Sequence, residues 1–287
     1  MASPTVDDQR RSLLLHEHAG LATLGQAKRF LSNVGVALRY GPHKTLPIAS
    51  MVAAVWRSIP EREPEAEMQR RATTLTNQLI AAGDAIETNV VADRVGLAHA
   101  SLIPALFALV RRAGRTTGGT LSPGAMRTVD NLEVSDNARR VLGFLASTPR
   151  PTAGQVRAYL GVPPQTWPNA ADDALAELQR ALVIDRGATD VPAKGAAYLT
   201  KDGIPYRLVD DVHAAHVKAA AKLTVGAAAA QLVERYLDGA RMATRKQLAK
   251  IFAACMSPDE LDAALETLGR KVAVVGAGRS ELVVRRP

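Results

Sequence analysis

The feature that most constrains the fold of this chain is a pattern that occurs twice, about 90 residues apart. Thr152 followed by Gln155 matches a capping box, in which the two side chains close the start of a helix, and Thr244 with Gln247 repeats it. Each copy continues with apolar residues at helical spacing, then a further helical stretch. Two copies of one structural unit are therefore predicted.

The order of elements in the repeat is typical of a winged helix. In the first copy, one helix carries an apolar stripe, and prolines follow it. The capped helix comes next, with Val156, Tyr159 and Leu160 as its predicted buried face, and a third helix runs from about Asn169 to Arg180. Three short helices and a hairpin make a winged helix. We predict a mainly α fold with short β-hairpins (α+β), built of tandem winged-helix units.

The same signals divide the chain into four segments. Residues 1–20 are expected to be a tail, and 21–125 a helical N-terminal domain, with a divergent winged helix left open there. Residues 135–212 and 213–287 are expected to be the central and C-terminal winged helices. In the N-terminal domain, Thr23 and Gln26 form another capping-box pattern, and the helix that they open is expected to end at Gly35.

Composition and charge favour a nucleic-acid partner. The chain of 287 residues has 36 lysines and arginines against 28 acidic residues, a net charge of +8, which attracts polyanions. Its single cysteine excludes an internal disulfide and a cysteine-based zinc site. No apolar run approaches a membrane span, and the start does not read as a signal peptide. We expect no membrane contact and a cytoplasmic, nucleoid-associated location.

Several apolar segments resemble the AlkZ-related proteins: AKRFLSNVGVALRY, LPIASMVAAVW, LIPALFALV and ALAELQRALVI. These proteins are similar to the winged-helix DNA glycosylases of the AlkZ and YcaQ type, which excise alkylated bases and unhook interstrand crosslinks. The resemblance implies tandem winged helices, with a C-terminal β-barrel that this chain leaves no room for. It also implies a Gln-apolar-Gln or Gln-apolar-Asp motif, whose two catalytic places fall on Leu38 and Tyr40. Neither side chain can polarise a hydrolytic water as glutamine or aspartate does, so no catalytic residue is predicted.

The candidate DNA contacts are mostly cations outside the third helices. Those helices begin with acidic residues, which repel phosphates but stabilise a helix N-terminus, so some units could be scaffold or protein interface instead. Trp167 could stack on a base or wedge into DNA, or else fasten the helix to the core. An ordinary solvated surface is the alternative for each cation. The candidates are Arg39, Lys44, Arg139, Arg140, Arg150, Arg157, Gln165, Thr166, Trp167, Asn169, Arg245, Lys246, Lys250 and Arg279.

No cofactor or metal site is predicted. His213 and His216 stand three residues apart after two aspartates, but no third strong ligand is near, which favours ordinary histidines beside a helix cap. The sequence thus predicts a protein that binds double-stranded DNA through a basic concave face, in DNA repair or a chromosome-associated role. Enzymatic activity is left open, with its absence favoured. The alternatives are an AlkZ-like glycosylase, and a transcriptional regulator or interaction module with a protein partner or homodimer.

Overall fold

The computed structural model describes residues 20–56, 65–111, 133–163, 166–189, 203–276 and 281–286. Residues 1–19, and with them almost all of the expected tail, lie outside these ranges, as do the candidate contacts Gln165 and Arg279. The described chain is mainly helical with short strands, which confirms the predicted α+β class. Three successive segments share one order: a helix, a short strand or bridge, two helices and a hairpin. We name them the first, central and last units.

The first unit is built on a four-stranded sheet in the order β2-β1-β4-β3. Strand β1 is antiparallel to β4, and β3 and β4 form a hairpin. Both bonds of the Thr23–Gln26 capping box are present, and Gly35 ends the first helix with a φ of +73°. The elements are α1 (Leu24–Val34), β1 (Val36–Leu38), β2 (Ala49–Ser50), α2 (Met51–Trp56), α3 (Glu65–Ala81), β3 (Ala85–Val91), β4 (Arg94–His99) and α4 (Ile103–Val110).

The central unit follows the predicted plan with two corrections. Tyr159, expected in the buried face, is 44% exposed, because its ring stacks on Phe144 at the edge of the unit. The apolar run 182–184 has the pattern of a strand, but the strand begins at Ile184, since Leu182 adopts a φ of +52° and turns the chain. A single bridge between Thr152 and Pro205 replaces the first strand. The elements are α5 (Asp136–Ser147), α6 (Ala153–Tyr159), α7 (Ala170–Arg180), β5 (Ile184–Arg186) and β6 (Tyr206–Leu208).

The last unit repeats the first in both order and pairing. Its sheet runs β7-β9-β8, which corresponds to β1-β4-β3. The capping boxes at Thr244 and Ser257 are complete, as the sequence predicted. Two short helices, α8 (Val209–Val212) and α9 (Ala214–Ala220), connect it to the central unit. The remaining elements are α10 (Val225–Ala240), β7 (Met242–Thr244), α11 (Arg245–Phe252), α12 (Pro258–Leu268), β8 (Val272–Val275) and β9 (Leu282–Arg285).

The first and last units share one hydrophobic core, although more than 100 residues separate them. Helix α10 packs against α1 and α4, and its Tyr236 lies in the same core as Phe30 and Leu106. The central unit has its own core, which includes Val141 and Leu178. Among the described helices, none combines the length and the apolar character that a membrane span requires.

Candidate nucleic-acid interface

The loop that follows β1 is fastened to the last unit. The Thr45 carbonyl accepts a hydrogen bond from Nε2 of Gln247 at 3.3 Å, and the Pro47 carbonyl accepts one from the Tyr236 hydroxyl at 2.8 Å. Gln247 lies on α11 and Tyr236 on α10, so residues 43–47 lie against both helices. The loop therefore joins the first unit to the second helix of the last unit.

The turn between β3 and β4 reaches the same place. The Ala92 amide donates to the Ile251 carbonyl of α11 at 2.7 Å. Ala92 and Asp93 both have positive φ, the backbone of a tight hairpin turn. On its other side the turn faces the central unit, where the Asp93 carboxylate lies 3.8 Å from the Arg180 guanidinium of α7. All three units meet at this turn.

These backbone contacts bring basic side chains from distant segments together. Arg94 directly follows the turn, and Lys250 directly precedes the Ile251 carbonyl to which the turn is bonded. Burial lowers the pKa of His43, and the positive charges of Arg94 and Lys250 lower it further. Lys44 follows His43, and Lys246 precedes the Gln247 that holds the loop. We name this set the junction cluster: His43, Lys44, Arg94, Lys246 and Lys250.

The four cations of the junction cluster are exposed and not neutralised. Lys44, Arg94, Lys246 and Lys250 all have exposed side chains, and none is within 4.0 Å of a carboxylate in the part of the chain that the structure describes. Their uncompensated charge creates a positive potential at the junction of the three units.

His43 contributes to the junction cluster as a neutral ring. Its Nδ1 accepts hydrogen bonds from the amides of Thr45 at 3.2 Å and Leu46 at 3.1 Å. Since an accepting Nδ1 carries no proton, Nε2 is the protonated nitrogen of the neutral ring. This agrees with the lowered pKa. The ring therefore fixes the loop and offers one N–H donor instead of a charge.

Arg39, a predicted phosphate contact, is instead part of a buried ionic network. It is 7% exposed and pairs with Glu87, which has no exposed surface. The other oxygen of Glu87 lies 2.9 Å from Nη1 of Arg186 in the central unit, as an ion pair without the alignment of a hydrogen bond. The Arg39 guanidinium is thus occupied within the protein, and burial removes it from a phosphate-binding surface.

A second buried carboxylate extends this network. Asp185 accepts from Arg207 at 2.6 and 3.1 Å and lies 3.5 Å from Nε2 of His213. It also accepts from the Glu87 amide at 3.4 Å, which links β5 to β3. His213 is therefore beside a carboxylate and not in a ligand set. No group of three metal-binding side chains is found among the described residues.

The candidate contacts of the central unit divide into occupied and exposed side chains. Arg157 is bonded to Asp172 at 2.7 and 3.1 Å, and the Asn169 side chain caps α7 through the Asp172 amide. Arg245 of the last unit is likewise paired, with Asp262 and Glu281. The exposed candidates are Arg139, Arg140, Arg150, Thr166 and Trp167, of which Trp167 is 69% exposed.

Sequence reasoning missed two members of the junction cluster, His43 and Arg94. Residues 85–95 resemble a connection between helices in sequence, because β3 is buried almost throughout and lacks the alternation that marks a half-buried strand. The available signal for the hairpin, and with it for Arg94, was the turn residue Asp93 after the β-branched residues of β3.

The two positions that correspond to the glycosylase motif have different environments. Leu38 is 2% exposed at the end of β1, whereas Tyr40 is 50% exposed just beyond the strand. Neither provides a carboxylate or amide, so the expected motif chemistry is not available at these two residues.

Sequence comparison finds no family model and no curated protein that matches this chain. Among solved structures, the DNA glycosylase AlkZ of Streptomyces sahachiroi is similar, with a TM-score of 0.57 at 13% identity. The likeness covers 96% of this chain and 67% of the glycosylase. This chain has an AlkZ-related fold. At 13% identity, the structural likeness establishes the fold alone. This chain spans about two thirds of the length of the glycosylase.

Proposed function

We propose that this chain binds double-stranded DNA with three winged helices, through contacts of the junction cluster to backbone phosphates. The observation that carries the proposal is the gathering of Lys44, Arg94, Lys246 and Lys250 at the meeting point of the three units, where no described carboxylate neutralises them. The AlkZ-related fold adds support, because the similar protein is a DNA glycosylase. A role in DNA repair or in chromosome-associated processes follows from this proposal.

The proposed contacts do not depend on DNA sequence. The third helices α7 and α12 each have acidic residues in the first turn, and the exposed ones, Asp173 and Asp259, would face the phosphates of a groove-bound duplex unfavourably. In α7 the Asp172 carboxylate is bonded to Arg157, so neither side chain is available to read a base edge. Phosphate contacts position a protein on the duplex without reading it. We therefore expect similar affinity for matched duplexes of different sequence.

Two single substitutions test the contacts. Lys250→Ala and Arg94→Ala should each weaken binding to a matched duplex, by about fivefold in Kd, the equivalent of roughly 1 kcal/mol for an exposed charge pair. Lys218→Ala on α9 is the matched control, since it removes an exposed lysine outside the junction cluster. Fluorescence anisotropy of a labelled duplex measures all three. Equal losses for the control and the two variants would contradict the proposal.

A second candidate is base excision, which the fold of the similar glycosylase favours. Water would cleave the N-glycosidic bond of an extruded alkylated nucleotide, which releases the base and leaves an abasic site that cleaves in alkali. The side chains at Leu38 and Tyr40 weigh against it. Incubation with an alkylated duplex, followed by alkali and gel analysis, distinguishes DNA binding alone from base excision. Intact strands are expected for binding alone, and cleaved strands would establish glycosylase activity.

A further inference from the structure

We propose that Tyr40 is a stacking platform for an unpaired base, so that DNA containing such a base binds more tightly than matched duplex. This inference rests on the proposed function and adds to it a DNA structure that the protein prefers. It concerns the exposed ring at the end of β1, beside the junction cluster and not within it.

The Tyr40 ring projects from a fixed backbone. Its carbonyl accepts a hydrogen bond of 2.5 Å from Oγ of Ser50, and Oγ itself accepts from the Ala53 amide at the start of α2. The preceding amide, of Arg39, donates to the Val95 carbonyl at 3.1 Å and so prolongs the pairing of β1 with β4. A ring held in this way, with half of its surface exposed, loses little conformational entropy when a base stacks on it.

The buried ionic network places cations beside the ring. The guanidinium carbon of Arg39 lies 5.7 Å from the centre of the Tyr40 ring, within the range of a cation–π contact. Arg39 is held there by Glu87, which also holds Arg186. Burial lowers the pKa of the Arg186 guanidinium, but its interactions with Glu87, Tyr206 and Tyr40 raise this pKa by more. The Tyr40 phenol is therefore close to the Arg186 guanidinium as well. Both cations are paired with the buried Glu87, so they fix the surroundings of the ring, and the phosphate contacts remain with the junction cluster.

The position of Tyr40 relative to the junction cluster makes the stacking accessible from bound DNA. His43 and Lys44 follow within four residues on the same loop, so a duplex bound to the cluster would pass beside the ring. Stacking needs no particular base, since every base has a π face, which agrees with contacts that do not depend on sequence. An unpaired base can leave the duplex at a lower cost than a paired one.

Tyr40 is distinguished from two other exposed aromatic side chains, Tyr159 and Trp56, by its surroundings. Tyr159 is already stacked on Phe144, with ring centres 4.5 Å apart and planes 11° from parallel. Trp56 is 57% exposed at the end of α2 and has no cation or ring partner among the described residues. It therefore serves as the control for a loss of exposed aromatic surface.

The experiment compares two short duplexes that are identical except for one unpaired 2-aminopurine in one of them. Anisotropy gives the ratio of their Kd values, and 2-aminopurine emission reports stacking of that base directly. The full-length protein should bind the duplex with the unpaired base about fivefold more tightly or better, with quenched emission. Tyr40→Ala should bring the ratio to about one and abolish the quenching, whereas Tyr40→Phe and Trp56→Ala should keep both.

The outcomes separate this inference from the proposed function. Salt-sensitive binding of both duplexes with equal affinity by the unaltered protein would overturn the role of Tyr40 and leave DNA binding in place. If Tyr40→Ala still prefers the duplex with the unpaired base, the stacking role of Tyr40 is also overturned. A failure to bind either duplex at low salt would overturn both proposals. Circular dichroism melting shows whether each variant is folded, and Tyr40→Phe, which keeps the ring, tests the inference even if Tyr40→Ala unfolds.

Discussion

At the scale of single residues, Glu87 determines how the first and central units are held. Its carboxylate has no exposed surface and lies between Arg39 of the first unit and Arg186 of the central unit. Without the Glu87 carboxylate, the positive charges of the two arginines would be poorly compensated, because both side chains are largely shielded from water. The arginines beside Tyr40 therefore depend on the Glu87 carboxylate for their positions.

Glu87→Gln should lower the free energy of unfolding by about 3–5 kcal/mol, the usual effect of removing one partner of a buried ion pair. Glu67→Gln is the control: its pair with Arg70 lies on the surface of α3, and its loss should change the free energy by less than about 1 kcal/mol. Urea denaturation of both variants measures the difference. Equal stability of the two would show that the Glu87 network does not hold the units together.

Residues whose roles are local could be predicted from the sequence, and those with distant partners could not. Thr23, Thr152 and Thr244 cap their helices as predicted, because each partner lies three residues away. Arg39 resembles any surface arginine in sequence, since only the folded chain brings Glu87 and Arg186 to it. The exposure of Tyr159 was missed for the same reason.

At the scale of elements, the crossing of α1 and α10 shows how closely the first and last units pack. A Cβ atom added to Gly239 of α10 would lie 2.6 Å from Cα of Val34 on α1, so the two backbones are nearly in contact. Gly226, in the first turn of the same helix, has nothing within 4 Å of such an atom. The two glycines differ in packing alone.

Gly239→Ala should therefore destabilise the protein by about 1–3 kcal/mol or more, since backbone cannot yield as a side chain can. Gly226→Ala should instead stabilise it, by up to about 1 kcal/mol, because alanine restricts the unfolded chain and favours the helix. Thermal melting of both variants measures their change in stability relative to the unaltered protein. A melting temperature for Gly239→Ala equal to or above that of the unaltered protein would contradict the close crossing.

The periodic spacing of apolar residues predicted the helices well, but it predicted the pairing of strands less well. Helices α1, α5, α7 and α10 each bury one apolar stripe, and that pattern is visible along the sequence. The region 97–112 was expected to be helical, but β4 occupies its start up to His99. Short strands carry few residues, so a buried strand and a buried helical turn are hard to separate by pattern.

At the scale of the whole molecule, the arrangement of the three units could not be predicted from the repeated pattern in the sequence. The first and last units share a core, and the central unit joins them through the Glu87 network and the turn at Asp93. The arrangement depends on contacts between distant segments that no local pattern records. It is also what creates the junction cluster, since Lys44 and Arg94 come from the first unit and Lys250 from the last.

The salt dependence of duplex binding tests the central proposal most directly. With four cations on phosphates, the logarithm of the binding constant should fall against the logarithm of salt concentration with a slope of about −3.6. In the triple variant Lys44→Ala, Arg94→Ala, Lys250→Ala, the slope should become shallower by about 2.7, while a variant with three substitutions at Lys218, Lys222 and Arg270 keeps it. A slope near zero for the unaltered protein, or an unchanged slope in the first triple variant, would contradict DNA binding through the junction cluster.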